Sequence, residues 1–148
     1  MNTIVLMKFV PDPVEELEID STTHLLDRSF LRLIPNELDE HALEQAILLK
    51  ERHGGTVTVV TIDAGEVDEA LYTAAAKGAD RLLKITGENF DQGLSSRQQA
   101  ALFEQVLHDL PADLILTGTQ AVDDLDGFVG ALVAERLGLP YVGYVTGI

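Results

Sequence analysis

A chain of 148 residues, 46% of them hydrophobic, can bury one core and is too short for two ordinary domains. Ten basic residues against twenty-five acidic ones leave a formal charge of −15, which excludes non-specific binding to nucleic acid or to an anionic membrane surface. With no cysteine, disulfides, thiolate metal ligation and thiol catalysis are excluded as well.

The run 3–10, TIVLMKFV, is continuously apolar and closed by Pro11 and Pro13, which predicts a central parallel strand rather than a leader or a membrane span. Residues 17–27, LEIDSTTHLLD, predict a small hairpin around a polar turn. Asn36 stands where a cap belongs, ahead of a long helix with Glu37, Asp39 and Glu40 in its first turn. Leu38, Ala42, Leu43, Ala46 and Ile47 form that helix's apolar stripe, and Gly54 and Gly55 stop it. A second strand, TVTVVTI (56–62), leads through Asp63-Ala64-Gly65 into a helix with Leu71, Ala74 and Ala75 inside, closed by Gly78. RLLKI (81–85) is the third strand. A capping box, Ser95 with Gln98 or Ser96 with Gln99, opens a helix burying Phe103, Val106, Leu107 and Leu110, which Pro111 breaks. DLILTG (113–118) gives the fourth strand, a helix from about Gly127 to Leu137 ends at Gly138, and YVGYVTGI (141–148) is expected as the fifth strand.

Strands alternating with helices define an α/β class: a single domain, 1–148, built as a three-layer αβα sandwich around a five-stranded, mostly parallel sheet. Ligands of such sheets sit outside the carboxyl ends of the strands, where strand order reverses. The loops after Val10, Ile62 and Thr117 are therefore the candidates. Asn36 can serve as a helix cap or line a cleft, and Gly65 can serve as a turn or as a close backbone approach. The loop TGTQAVDDLDGFVGALVAERLGLP (117–140) is the strongest candidate, because Gly127 leaves the N–H groups at the start of the next helix open to a phosphate. Asp123, Asp124 and Asp126 oppose that reading unless they turn aside to cap the helix, close their own turn or accept ribose hydroxyls. His24, His41, His53 and His108 are scattered without ligand spacing, and no nucleophile elbow or carboxylate pair supports catalysis. Binding, without bond-making chemistry, is the expectation.

Four motifs in order carry a resemblance: KFVPD (8–12), NELDEHALEQAILLKE (36–51), YTAAAKGADRLL (72–83) and GTQAVDDLDGFVGALVAERLGLPYVGYVTGI (118–148). Together they resemble the β subunit of electron transfer flavoprotein across essentially the whole chain. The resemblance implies an α/β domain akin to the adenine-nucleotide α-hydrolase fold, which is Rossmann-like. It also implies pairing with an α subunit that carries the redox-active FAD, and passage of electrons from acyl-CoA or other dehydrogenases through that complex. The cofactor it implies in this chain is a structural AMP, or a second FAD in electron-bifurcating relatives. By matching position, Leu6 lies at the adenine, Asn36, Glu37, Leu38 and Asp39 beside the nucleotide, and Ile62 at the end of the second strand. Gly118, Thr119, Gln120, Ala121, Asp123, Gly127, Phe128 and Val129 surround ribose and phosphate.

The chain departs from the family where Phe128 replaces a polar residue, where Thr119 stands in place of a lysine that some members carry, and where Glu37-Leu38 replace Pro-Phe. Each change removes a donor or adds negative charge, so the resemblance implies a weakened or altered nucleotide preference. Family β subunits run on for about a hundred residues past a domain of ordinary size. That extension includes the dehydrogenase-recognition loop and the arm that wraps the α subunit. A fragment or shortened homologue without them is not expected to dock a dehydrogenase by itself. The expected setting is the bacterial cytoplasm. Two rival readings are a universal-stress-protein-like homodimer that binds ATP, and a remnant interaction domain whose ligand site has decayed.

Overall fold

The computed structural model describes residues 1–65 and 67–148. Strands β1 (Asn2–Met7), β4 (Thr56–Ile62), β5 (Arg81–Ile85) and β6 (Leu114–Thr117) form one parallel sheet in the order β5-β4-β1-β6. Helices α1 (Glu37–His53) and α2 (Asp68–Lys77) cover one face, and α3 (Ser96–Leu107) and α4 (Val129–Leu137) cover the other. Strand alternation divides the core accordingly. Val5, Met7, Val57 and Val59 meet α1 and α2, whereas Ile4, Leu6, Val60 and Ile62 meet α3 and α4. Each fully buried valine or isoleucine of these strands contributes about 1.5–3 kcal/mol of burial. The α/β class and the three layers are as expected from the sequence.

The strand expected over 3–10 is divided. β1 stops at Met7 because the backbone of Lys8 leaves the sheet: its N–H donates to Asp39 Oδ2 (2.9 Å) and its carbonyl accepts from the Asn36 N–H (2.9 Å). Beyond it, β2 (Phe9–Pro11) pairs antiparallel with β3 (Leu33–Pro35), a short ribbon whose second strand the apolar pattern does not announce. The hairpin expected over 17–27 is a single antiparallel bridge, Ile19 to Leu26.

The fifth strand is not formed. Residues 141–148 make no ladder, and Val142, Tyr144, Val145 and Ile148 are exposed. Tyr141 instead packs on α4, where a Cβ at Gly130 would lie 3.3 Å from its ring. That seat carries the chain over the helix rather than along β6, and strand propensity gains nothing without a ladder to join. Two smaller expectations also change. Ala75 is exposed on α2, leaving Leu71 and Ala74 as its buried residues. The box at α3 is the Ser95–Gln98 one, complete in both directions.

Candidate functional site

From β1 the sheet grows first to β4 and β5, and β6 is then added on the other side of β1. The carboxyl ends of β1 and β6 thus flank the point where strand order reverses, where open α/β sheets bind ligands. A cleft lies there, with a cavity of about 40 Å³ inside roughly 400 Å³ of open space. Its apolar wall is Leu6, Met7, Phe103, Ala121 and Val129; its polar groups include Lys8, Asn36, Asp39, Gln99 and Asp124.

Asp39 organises this end of the sheet. Its carboxylate is buried and accepts from three segments: the Lys8 N–H (2.9 Å), the Gly118 N–H (2.6 Å) and Asn36 Nδ2 (3.1 Å). Burial outweighs these donors and the nearby Lys8 charge, pushing the carboxyl up to about 6. Asn36 does occupy the N-cap position of α1, but its side chain caps nothing. Its Nδ2 donates instead to Asp39 and to the Gln120 carbonyl (3.0 Å), so the residue ties α1 to the 118–128 loop.

Lys8 accounts for two of the three aspartates in the 118–128 loop. Its Nζ reaches across from the end of β1 to Asp123 Oδ1 (2.6 Å) and Asp124 Oδ2 (2.9 Å), with all three side chains about four-fifths buried. The loop therefore lies across the mouth of the cleft as a strap with two tethers, Asp39–Asn36 at its start and Lys8 at its middle. Gly127 lets the strap turn into α4: its φ is +65°, and a Cβ there would come within 2.5 Å of the Thr119 carbonyl. The strap's last residue, Phe128, gives α4 no side-chain cap, and no acidic residue stands in the first turn of that helix. The N-terminal amides of α4 therefore face the strap with only backbone and solvent to satisfy them.

Nine of the sequence-derived candidates line this cleft: Leu6, Asn36, Asp39, Gly118, Thr119, Gln120, Ala121, Gly127 and Val129. The other five do not. Glu37 is exposed and lies 3.9 Å from His41. Leu38 is half-buried behind Gly118, and Ile62 packs under α3 and α4. Asp123 faces Lys8 rather than the cleft, and Phe128 is exposed to solvent. The lining residues that the sequence reading passed over are Met7, Lys8, Gln99 and Phe103; Thr117 and Asp124 stood inside the candidate loop without being assigned to the site. Lys8 stands inside the quoted KFVPD motif, where a lone cation after an apolar run was the available signal. Gln99 and Phe103 come from α3, whose stripe is indistinguishable from ordinary core. Among the described residues no group of three His, Asp or Glu side chains is arranged to hold a metal.

A parallel sheet with helices on both faces and a cleft at its switch point is the arrangement in which open α/β domains bind ligands. Residues 25–148 match the family described as "Electron transfer flavoprotein domain". Similar proteins include the electron transfer flavoprotein subunit beta of Thermoanaerobacterium thermosaccharolyticum, 37% identical over 98% of this chain and 55% of that protein. The corresponding subunit of Bacillus subtilis is 37% identical over 99% of the chain and 56% of its own length. The caffeyl-CoA reductase-Etf complex subunit CarD of Acetobacterium woodii is 34% identical over 100% and 56%. The chain belongs to the electron transfer flavoprotein family and resembles its β subunits. It spans a little over half the length of these relatives. No helix of the described residues is long and apolar enough to cross a membrane.

Proposed function

We propose that this chain is the adenine-nucleotide-binding half of an electron transfer flavoprotein β subunit, holding AMP, or FAD in a bifurcating type, in the cleft between β1 and β6. In this reading it pairs with an α subunit whose FAD carries electrons from acyl-CoA or other dehydrogenases, and the chain makes and breaks no bonds itself. The observation that carries the reading is the convergence of β1, α1, the strap and α4 on one cleft at the switch point, in a chain whose relatives are electron-transfer subunits.

The residues fit such a ligand in kind. Leu6, Phe103 and Val129 offer an apolar wall for a purine, Gln99 and Asn36 offer amide oxygens, their amide nitrogens being engaged within the fold, and Lys8 with the uncapped start of α4 offers positive potential to a phosphate. The bound nucleotide would supply rigidity to this end of the sheet, in keeping with a structural AMP. The backbone at Gly118 and Gly127 admits no side chain, which keeps the strap close to Asp39 and to Thr119. The protein is expected to work in the bacterial cytoplasm, through its α partner.

Denaturing the purified protein and identifying the released nucleotide by chromatography and absorbance tests this reading. AMP supports the ordinary carrier, and FAD the bifurcating type. Release of no nucleotide, together with no calorimetric binding of AMP or FAD to the chain with its α subunit, would reject it.

A further inference from the structure

Lys8 is the only cationic side chain among the described residues that line the cleft. Its ammonium has three N–H donors, and two of them are engaged by Asp123 and Asp124 on the strap. The third has no protein partner among the described hydrogen bonds, and the side chain borders the cleft. The two carboxylates are on the strap that covers the cleft, so the same ion pairs that hold the strap down also draw on the cation. The enclosed part of the cleft, about 40 Å³, has room for about three waters and opens into roughly 400 Å³ of space. An anion that takes the Lys8 ammonium competes with Asp123 and Asp124 for it, and displacing them would release the strap.

We propose that Lys8 is the anion-anchoring residue of this cleft and that Asp123 and Asp124 act as a gate, competing with the phosphate of the ligand for the same ammonium. This rests on the nucleotide reading given above and adds to it the residue that selects for a phosphorylated ligand. The strap is thereby both lid and competitor: its aspartates favour closure until a phosphate replaces them, and they discriminate against an uncharged nucleoside, which can open the strap only by breaking two ion pairs without offering a substitute. Lysine suits this role because its point charge on a flexible stem turns between acceptors, where a guanidinium would be held by its fork geometry.

The test compares AMP with adenosine by calorimetry on the full chain and its variants, since the two ligands differ only in the phosphate. Lys8→Met is expected to weaken AMP by about tenfold to a hundredfold, the range for a hydrogen bond to a charged group, while adenosine, which no longer has two ion pairs to break, binds at least as well as to the parent. Lys8→Arg should retain a preference for AMP. The double variant D123N/D124N, which frees the ammonium, should bind AMP several-fold more tightly than the parent, and raised salt should narrow the AMP preference of the parent but not that of Lys8→Met. If Lys8→Met weakens AMP and adenosine equally, Lys8 is structural and the anchor is overturned while the nucleotide reading stands. If D123N/D124N weakens AMP, the gate is overturned. If the parent paired with its α subunit releases no nucleotide on denaturation and binds neither AMP nor FAD, the nucleotide reading falls and takes this proposal with it. Should Lys8→Met fail to fold, the D123N/D124N arm reads the same competition without touching the lysine.

Discussion

Two acidic loops of this chain solve the same electrostatic problem in opposite ways. In the excursion between β2 and β3, Asp20 accepts from the N–H groups of Thr22 and Thr23 (both 2.7 Å), and Asp27 accepts from that of Ser29 (2.9 Å). These are turn contacts two or three residues away, and they hold both carboxyls below the usual carboxylate range. In the strap over the cleft, Asp123 and Asp124 reach Lys8 across more than a hundred residues, and the Gly118 N–H reaches Asp39 across seventy-nine. Where the strap meets α1, burial dominates, and Asp39 of that helix is raised rather than lowered. A carboxylate bound to its own turn shapes only that turn. A carboxylate bound across the fold makes a loop part of the sheet's end, and this is why the strap, and not the equally acidic excursion, can build a site.

The largest expected effect lies where the strap meets the sheet. A Cβ at Gly118 would stand 2.5 Å from Asp39 Oδ1 and 2.9 Å from the backbone of residues 38 and 39, so Gly118→Ala must push α1 away from β6. The expected loss is about 3 kcal/mol, in the range of core overpacking, read as a lowered denaturant midpoint. Gly65→Ala is its control: with no atom within 4 Å of the added Cβ and a φ of +97°, only backbone strain remains, about 1 kcal/mol. Equal losses at the two glycines would show that the strap's junction is no tighter than an ordinary turn.

Asp39 sharpens the comparison through pH. Its folded-state value of about 6 lies above the ordinary 3.8, so between those values the folded chain holds the extra proton. Stability from this group therefore rises as pH falls from 7 toward 5, by about 1 kcal/mol. Asp39→Asn keeps one acceptor oxygen but turns an amide toward the N–H of Lys8 or Gly118, and is expected to cost about 1–3 kcal/mol at pH 7. Because the variant lacks the titration, the gap between parent and variant should widen by about 1 kcal/mol at pH 5. A gap that narrows as pH falls would mean that Asp39 is held ionised, with its three donors outweighing burial.

The same contrast explains what could be read from the sequence. Four parallel strands, the helix stops at Gly54, Gly78 and Gly138, and the Ser95–Gln98 box follow from periodicity and local chemistry and are present. The strap was recognisable as a site because it joins a strand end to a helix through glycine. Its tethers were not: nothing near Asp123 announces a lysine at the end of β1, and Asn36 looks like a cap until its amide is seen reaching Gln120. The missing fifth strand has the same origin. YVGYVTGI has the composition of a strand, but a ladder depends on a neighbour, and the seat of Tyr141 on Gly130 is a contact between separate segments.

The smallest effect is expected in the excursion. Asp20→Ala removes acceptors for two exposed backbone N–H groups, which water can satisfy at once, so the melting temperature should fall less than in Gly118→Ala or Asp39→Asn. The turn loses its local bonds, yet the Ile19–Leu26 bridge and the β2–β3 ribbon hold its two ends. Asn36 and the Lys8 carbonyl follow that ribbon into the site, so the effect on ligand binding tests how far the excursion is insulated. Unchanged AMP affinity in Asp20→Ala would mean that the ribbon isolates the turn. A loss comparable to that of Lys8→Met would mean that the excursion positions the start of α1, and the two acidic loops would then be coupled rather than merely alike in composition.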